Sequence, residues 1–259
     1  AYDERGNTAR ESYFDVEGKA TLSVRGYSAI VQMFDTRDRL VSQTFLDAES
    51  KPTLSVDGYA RTTSKYDARG YLIEEAYFDT DNAPTWTADG FSRIAHAYDT
   101  RGNRTETKYL GTDGNPSYYR DGYSTVRFEY DAFGRIAREV YSGPQGEPAI
   151  HRLGYASVVR VFNKRGQLER QEYFGVDAKP TLCTEGYFRF VREYDVHGNE
   201  TRSQAFGTDE KPIITAKGYA TMRQAYDDRG YPISLSFFDT EDKPILDING
   251  IARITFVND

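Results

Sequence analysis

Carboxylates recur in this sequence at a spacing that acid–base or metal chemistry could use. Aspartate stands at Asp3, Asp35, Asp67, Asp99, Asp131, Asp195 and Asp227, and Asn163 fills the remaining place of a series that returns every 32 residues. A second acidic cluster follows twelve residues later, as Asp15/Glu17, Asp79/Asp81 and Asp239/Glu241. Paired carboxylates are the groups general acid–base catalysis needs, and with converging carbonyl oxygens they make calcium sites. His96, His151, His197 and the only cysteine, Cys183, complete the set of reactive or metal-binding side chains.

The spacing assigns most of these groups a different task. Each Asp of the first series opens the pattern aromatic-Asp-x-Arg-Gly, as in Tyr66-Asp67-Ala68-Arg69-Gly70, and the leading aromatic is Tyr2, Phe34, Tyr66, Tyr98, Tyr130, Phe162, Tyr194 or Tyr226. A short carboxylate accepts a hydrogen bond from the backbone N–H two residues on, and glycine supplies the positive φ that closes a type I turn with a bulge. The glycines are Gly6, Gly70, Gly102, Gly134, Gly166, Gly198 and Gly230; Asp38 takes the eighth place, and aspartate tolerates that backbone region. Asp and Gly are therefore read as structural turn residues, and the intervening Arg as an exposed partner of nearby carboxylates. The second cluster could hold Ca²⁺, but four of the eight units put Gly in place of its first acid, and calcium-loop spacing is absent. The histidines fall at three different places in the unit, and no base recurs beside Cys183. Phosphate loops and nucleophile motifs are missing. The expectation is a non-enzymatic protein with no catalytic residues, cofactor or metal.

Those turns belong to eight units that follow one another without insertion or deletion. After each turn comes a strand-like run such as Leu72–Phe78, ending in an aromatic–apolar pair, then a second polar turn closed by Pro at Pro52, Pro84, Pro116, Pro148, Pro180, Pro212 and Pro244, with Ala20 in the first unit. The Pro leads a short covering segment whose third residue is always apolar: Leu22, Leu54, Trp86, Tyr118, Ile150, Leu182, Ile214, Leu246. This residue is expected to close one face of the sheet. A glycine present in all eight units (Gly26 to Gly250) then precedes Tyr in six of them, and a second strand with period-two alternation runs to the next turn. Of 21 tyrosines, 17 occupy three unit positions: the leading one, the strand end and the Gly-Tyr corner. They are read as aromatic core columns, with sugar-stacking platforms as the alternative.

A hairpin alone is marginal in water, so these hairpins must stack. The expected fold is all-β: an open, twisted β-hairpin repeat array, a solenoid or superhelical ribbon of eight 32-residue units spanning residues 1–259 as one domain (units about 2–33, 34–65, 66–97, 98–129, 130–161, 162–193, 194–225 and 226–257). A closed eight-bladed ring or propeller is the alternative, disfavoured because 32 residues are few for a four-stranded blade. With 33 Lys and Arg against 40 Asp and Glu the net charge is −7, which argues against nucleic acid and anionic membrane as partners, and no apolar run is long enough to span a bilayer. One cysteine excludes intramolecular disulfides. The chain starts one residue before a turn and ends at Asn258-Asp259, one residue into the next, as a segment of a longer chain would.

The runs Tyr2-Asp3…Gly6-Asn7, Tyr66-Asp67…Gly70-Tyr71, Tyr98-Asp99…Gly102-Asn103, Tyr130-Asp131…Gly134-Arg135 and Tyr194-Asp195…Gly198-Asn199 resemble the tyrosine-aspartate (YD, Rhs-type) repeats of bacterial secreted and surface proteins. The resemblance covers the hairpin of every unit. It implies a curled β-sheet, in some members a shell around a toxin domain, and an extracytoplasmic setting. The present unit is longer, and its Lys-Pro-Thr-Leu and Gly-Tyr portion lies outside the usual short repeat. Phe14 to Lys19 is similar to aromatic-rich glucan-binding repeats, which rely on Trp; this chain has only Trp86. The reading is a repeat scaffold for protein interaction, adhesion or spacing. Its outward strand positions, such as Arg61, Thr63 and Lys65 against Arg189, Val191 and Glu193, differ between units, which suits a protein partner; a glycan or cell-wall ligand on Tyr columns is the alternative.

Overall fold

The computed structural model describes residues 1–257, so the terminal turn expected at Asn258-Asp259 lies outside the described residues. Sixteen strands follow in chain order: β1 (Arg10–Ser12), β2 (Ala29–Phe34), β3 (Leu40–Leu46), β4 (Arg61–Tyr66), β5 (Leu72–Phe78), β6 (Arg93–Tyr98), β7 (Arg104–Leu110), β8 (Thr125–Tyr130), β9 (Ile136–Ser142), β10 (Ser157–Phe162), β11 (Leu168–Phe174), β12 (Arg189–Tyr194), β13 (Glu200–Phe206), β14 (Thr221–Tyr226), β15 (Pro232–Phe238) and β16 (Arg253–Thr255). They form one antiparallel sheet whose spatial order equals the sequence order. The sheet is open rather than a closed ring: β1 pairs with β2 and β16 with β15, and not with each other. By contact density the chain divides into two compact units, residues 1–127 with 142–147, and residues 128–141 with 148–259.

Local turn chemistry makes the hairpins. Asp35 Oδ1 accepts the N–H groups of Arg37 at 2.8 Å and Arg39 at 3.1 Å, and Asp99 and Asp195 repeat this pair of bonds. Asn163 does the same with its amide oxygen. Six hairpins shift register at the leading aromatic, as between Lys65 and Tyr66. The Arg of the turn does more than meet a carboxylate. Arg37 donates to Ala68 O at 3.0 Å and Arg69 to Asp99 O at 2.7 Å, so one turn is tied to the next.

The same loop occurs three times in every unit, which the sequence reading does not anticipate. The closing bonds Asp67 N–H to Tyr71 O (2.9 Å), Asp79 N–H to Ala83 O (2.9 Å) and Thr87 N–H to Phe91 O (2.7 Å) are equivalent. Asp79 and Asp247 hold their loops with the two Oδ1 contacts seen at Asp35. Among the described residues, all those with positive φ, eighteen glycines and six others, sit at the fourth place of these three loops. Among the six is Ala178 at φ 59°. A Cβ in that region costs about 1–2 kcal/mol, partly offset by the greater unfolded-state freedom of glycine. Ala178→Gly is therefore expected to raise stability by about 0.5–1 kcal/mol in urea unfolding.

Proline fits because its position needs no donor. In the bridge Leu46↔Pro52 the bonds are Asp47 N–H to Lys51 O and Thr53 N–H to Phe45 O, which leaves the proline nitrogen unused. This folds the Pro-led segment back along its own strand.

Within each compact unit the strand-end and corner rings share one aromatic column where the sequence suggests separate ones. Strand-end and corner rings alternate: Tyr13, Tyr27, Phe45, Tyr59, Tyr77, Phe91, Tyr109 and Tyr123, with successive centroids 4.4–6.0 Å apart. Tyr141, Tyr155, Tyr173 and Tyr187 repeat the arrangement at 4.5–5.9 Å. The next strand end is Ala205, fully buried, and its cross-strand neighbour is Phe190, whose ring lies 5.2 Å from Tyr187. A large residue on β12 thus fills the volume that a small one on β13 leaves.

One expectation is corrected. The third residue of the Pro-led segment does not close a face of the sheet. It is exposed in all eight units, from 39 % at Ile214 to 59 % at Leu246. The residue after it turns inward instead: Ser55, Thr87, His151, Cys183 and Thr215 are buried. Backbone pairing at the preceding residue fixes the phase, since Thr53 N–H bonds Phe45 O, and alternation then sends Leu54 out and Ser55 in.

Candidate functional site

Among the described residues no group of three or more His, Cys, Asp or Glu is placed to hold a metal. His96 lies on β6, His151 inside a third-type loop and His197 in an Asp–Gly turn. His151 stacks on Tyr155 at 5.3 Å, and its Nδ1 accepts the Leu153 N–H at 3.1 Å, so it serves its own loop. Cys183 takes the equivalent buried place in the next unit. A concavity of about 690 Å³ lies between neighbouring Asp–Gly turns and is lined by Asp195, His197, Asn199, Tyr226, Asp227 and Arg229 among others. Asp195 there already accepts the N–H groups of His197 and Asn199 and the Asn199 side-chain amide.

Those bonds also set the acidity of the turns. The Arg39 guanidinium holds Asp35 down at about 2, and side-chain amides of Asn103 and Asn199 lower Asp99 and Asp195. Burial, then the charge of Arg104, pushes His96 down to about 4, and its Nδ1 lies 3.0 Å from Thr107 Oγ1. Signs follow directly. A histidine lowered in the fold is protonated first in the unfolded chain, so its contribution is lost as pH falls from about 6.5 to 4. The depressed aspartates keep theirs until pH falls from about 4 towards 2. Gln32, at the place equivalent to His96, bonds Gln43 at 3.1 Å, so glutamine fits there. His96→Gln is expected to flatten urea stability between pH 6.5 and 4 by about 1–2 kcal/mol, discounted for partial exposure, and to leave the lower-pH loss in place.

What the strands present outward differs between the two faces. On the face away from the aromatic column, cross-strand ion pairs alternate: Lys65–Glu74 at 2.8 Å, Arg127–Glu106 at 2.9 Å, Arg189–Glu172 at 2.6 Å, Arg202–Glu193 at 2.7 Å. Lys65 and Glu193 are exposed there, while Arg61, Thr63, Arg189 and Val191 are half-buried. Beside the aromatic column runs the exposed apolar set: Leu22, Leu54, Trp86 and Tyr118 in the first compact unit, Ile150, Leu182, Ile214 and Leu246 in the second. Trp86 packs over Gly111, where a Cβ would lie 2.8 Å from its ring, and at Gly143 a Cβ would meet the Glu147 carboxylate at 1.9 Å before the Tyr118 hydroxyl at 2.9 Å. What the four turns with Gly at this place share is a carboxylate from their own loop folded over it: a Cβ would lie 3.1 Å from Asp113 Oδ1, 1.9 Å from Glu147 Oε1, 3.3 Å from Asp177 Oδ1 and 3.0 Å from Asp209 Oδ1 at Gly111, Gly143, Gly175 and Gly207. The turn at Gly111 is still held, since Asp113 Oδ1 takes the Asn115 N–H.

The strand-end and corner tyrosines form the interior, whereas the leading ones are half-buried, with Tyr2 exposed. Tyr27, Tyr77, Tyr123, Tyr141, Tyr155, Tyr173 and Tyr187 are buried. Burial raises the phenols, Tyr59 and Tyr155 to about 12. Those buried rings are not platforms open to a sugar ring.

Fold and surface define an all-β hairpin-repeat protein with a tyrosine-rich core. No protein-family model and no curated protein matches the chain. Solved structures match weakly. The crystal structure of TcdB2-TccC3 without its hypervariable C-terminal region superposes with TM-score 0.38 and 11% identity, covering 86% of this chain. The Photorhabdus luminescens Tc holotoxin pore gives 0.32 and 10% over 95%, and TcdB2-TccC3 gives 0.24 and 13% over 97%. The chain spans 11%, 14% and 16% of those chains, respectively. A likeness of that degree assigns neither family nor activity.

Proposed function

We propose that this chain is a non-enzymatic repeat scaffold, one array of eight units within a larger bacterial surface or secreted protein, related to the tyrosine-aspartate (YD, Rhs-type) repeats. Its role is protein interaction, adhesion or spacing. The observation that carries this reading is the occupation of the recurring carboxylates: Asp35, Asp99 and Asp195 each hold backbone N–H groups of their own turn, so they are not available as acid, base or ligand. What repeats in the open is an apolar side chain per unit and, on the other face, strand residues that change from unit to unit. A stacked repeat builds such a surface while its turns and core stay fixed.

The test is adhesion of beads coated with the chain to bacterial and animal cells, before and after protease or glycosidase treatment of the cells. Protease-sensitive adhesion, lost when Leu22, Leu54, Trp86 and Tyr118 become Ser with unfolding unchanged, supports the reading. Adhesion removed by glycosidase alone, or a hydrolytic activity lost on Asp195→Asn, overturns it.

A further inference from the structure

We propose that the aromatic column has one open rung, at Ala205, and that this rung takes the phenol ring of a tyrosine presented by a protein partner. The strand-end place holds Tyr or Phe in seven of the eight units and alanine only here. Before it, in the second compact unit, Tyr141, Tyr155, Tyr173 and Tyr187 follow one another at 4.5–5.9 Å. At Ala205 the rings part. Tyr187 meets Phe190 at 5.2 Å and Tyr219 meets Phe237 at 4.6 Å, and among the described residues no ring contact joins the two pairs.

Phe190 covers Ala205, which is fully buried, but does not close the gap. A concavity of about 210 Å³ remains, with Tyr187, Phe190 and Tyr219 as its aromatic walls and Glu185, Arg192 and Lys217 in its polar lining. Phe190 and Tyr219 are half-buried, so both rings reach solvent. The equivalent place beside Tyr77, where the strand-end ring is present, keeps about 130 Å³. A cavity of about 150 Å³ holds a benzene ring, so one six-membered ring fits at Ala205. Three aromatic walls favour a flat π-ring over an aliphatic one, because offset and edge contacts between rings add to the area they bury.

The charges around the concavity select the substituent on that ring. Lys217 pairs with Glu185 at 3.6 Å and Arg192 Nε with Glu200 at 3.2 Å. These pairs balance, so a further charge brought out of water there has no counter-charge of its own. The terminal N–H groups of Arg192 make no hydrogen bond to protein among the described residues, and its guanidinium lies 4.9 Å from the Phe190 ring. Elsewhere in the column a ring hydroxyl is met by the side chain two residues earlier, as Tyr77 by Glu75 at 2.6 Å. Here that place is Ser203, and Arg192 stands opposite it. A phenolic oxygen accepts from a guanidinium without adding a charge. The site therefore suits tyrosine above phenylalanine, and a neutral phenol above an aromatic carboxylate. That the ring comes from a protein rests on the interaction reading above. Ile214, the residue before the lining Thr215, belongs to the exposed apolar row and offers the chain bearing the tyrosine a surface to lie on.

Titration of the isotope-labelled chain with p-cresol, followed by the amide resonances of Tyr187, Lys217 and Tyr219, tests the site. A Kd of about 1 mM is expected, the scale of a single ring in an open site. Toluene is expected to bind about fivefold more weakly, and Arg192→Met to reduce p-cresol to the affinity of toluene. Phe190→Val with Ala205→Tyr copies the Val158–Tyr173 pair of the preceding unit, fills the rung from within and is expected to abolish binding. A blocked Gly-Tyr-Gly peptide is expected to bind at least as well as p-cresol. No shift of those amides up to about 20 mM p-cresol overturns the proposal. So do shifts that survive the folded double variant, or binding of methyl glucoside in place of p-cresol. Should the double variant unfold, as circular dichroism would reveal, Arg192→Met decides: an unchanged preference for p-cresol over toluene overturns the site. Binding of p-cresol without the peptide overturns its assignment to a partner's tyrosine. The four residues changed in the adhesion test lie in the first compact unit and this site in the second, so failure of one result leaves the other standing.

Discussion

Tyr77→Ala is expected to lower stability by about 3–5 kcal/mol, while Leu54→Ala costs about 1 kcal/mol. Tyr77 is 8 % exposed and stands between Tyr59 at 4.8 Å and Phe91 at 5.5 Å, so truncation opens a cavity that flanking rings, each fixed by its own loop, cannot collapse to fill. Its hydroxyl donates to Glu75 at 2.6 Å, a bond worth little beside the ring: Tyr77→Phe is expected to cost about 1 kcal/mol, and Phe45 and Phe237 occupy the same place in other units. Leu54 keeps 47 % of its surface in water. If it sealed the core, its truncation would cost about 2–5 kcal/mol, so the pair of urea titrations decides which layer holds the array together.

Gly218→Ala is expected to cost about 2–4 kcal/mol and Gly250→Ala about 1–2 kcal/mol. Both glycines have positive φ, 90° and 78°, so both substitutions carry the left-handed penalty. Only Gly218 has a neighbour: a Cβ there would meet Ile248 N at 3.0 Å and Asp247 C at 3.1 Å, backbone atoms that cannot give way without breaking the Ile248–Lys217 bond. The excess at Gly218 measures the contact between adjacent units directly. Equal costs at the two positions, in the same denaturation experiment, would mean the glycine serves its loop alone.

These two results bear on how the array is stabilised. Charge is a minor part. Ion pairs such as Lys65–Glu74 and Arg202–Glu193 pair an exposed group with a partly covered one, and such pairs contribute about 0–1 kcal/mol each. Backbone bonds across the seam, the aromatic column and the close glycine contact carry the neighbour-on-neighbour term that a repeat needs, because one hairpin cannot bury its own face.

The sequence by itself determined the features that are settled within a few residues. An aspartate whose carboxylate reaches N–H groups two and four residues on, followed by a residue that accepts positive φ, closes a loop wherever it stands, so the Asp–Gly turns, the hairpins between them and the period of the open all-β array were legible from residue types alone. Tertiary structure decided the features that depend on what lies across the sheet. The Pro-led segment is too short for alternation to reveal its inner side; pairing of Thr53 with Phe45 chose Ser55 over Leu54, and so placed the apolar row in solvent. The merging of two tyrosine positions into one column, and the exchange of bulk between Phe190 and Ala205, likewise exist only once the corner of one unit meets the strand of the next. Volume is shared between residues far apart in the chain, whereas turn geometry is not, and that difference in range separates what could be read from what had to be seen.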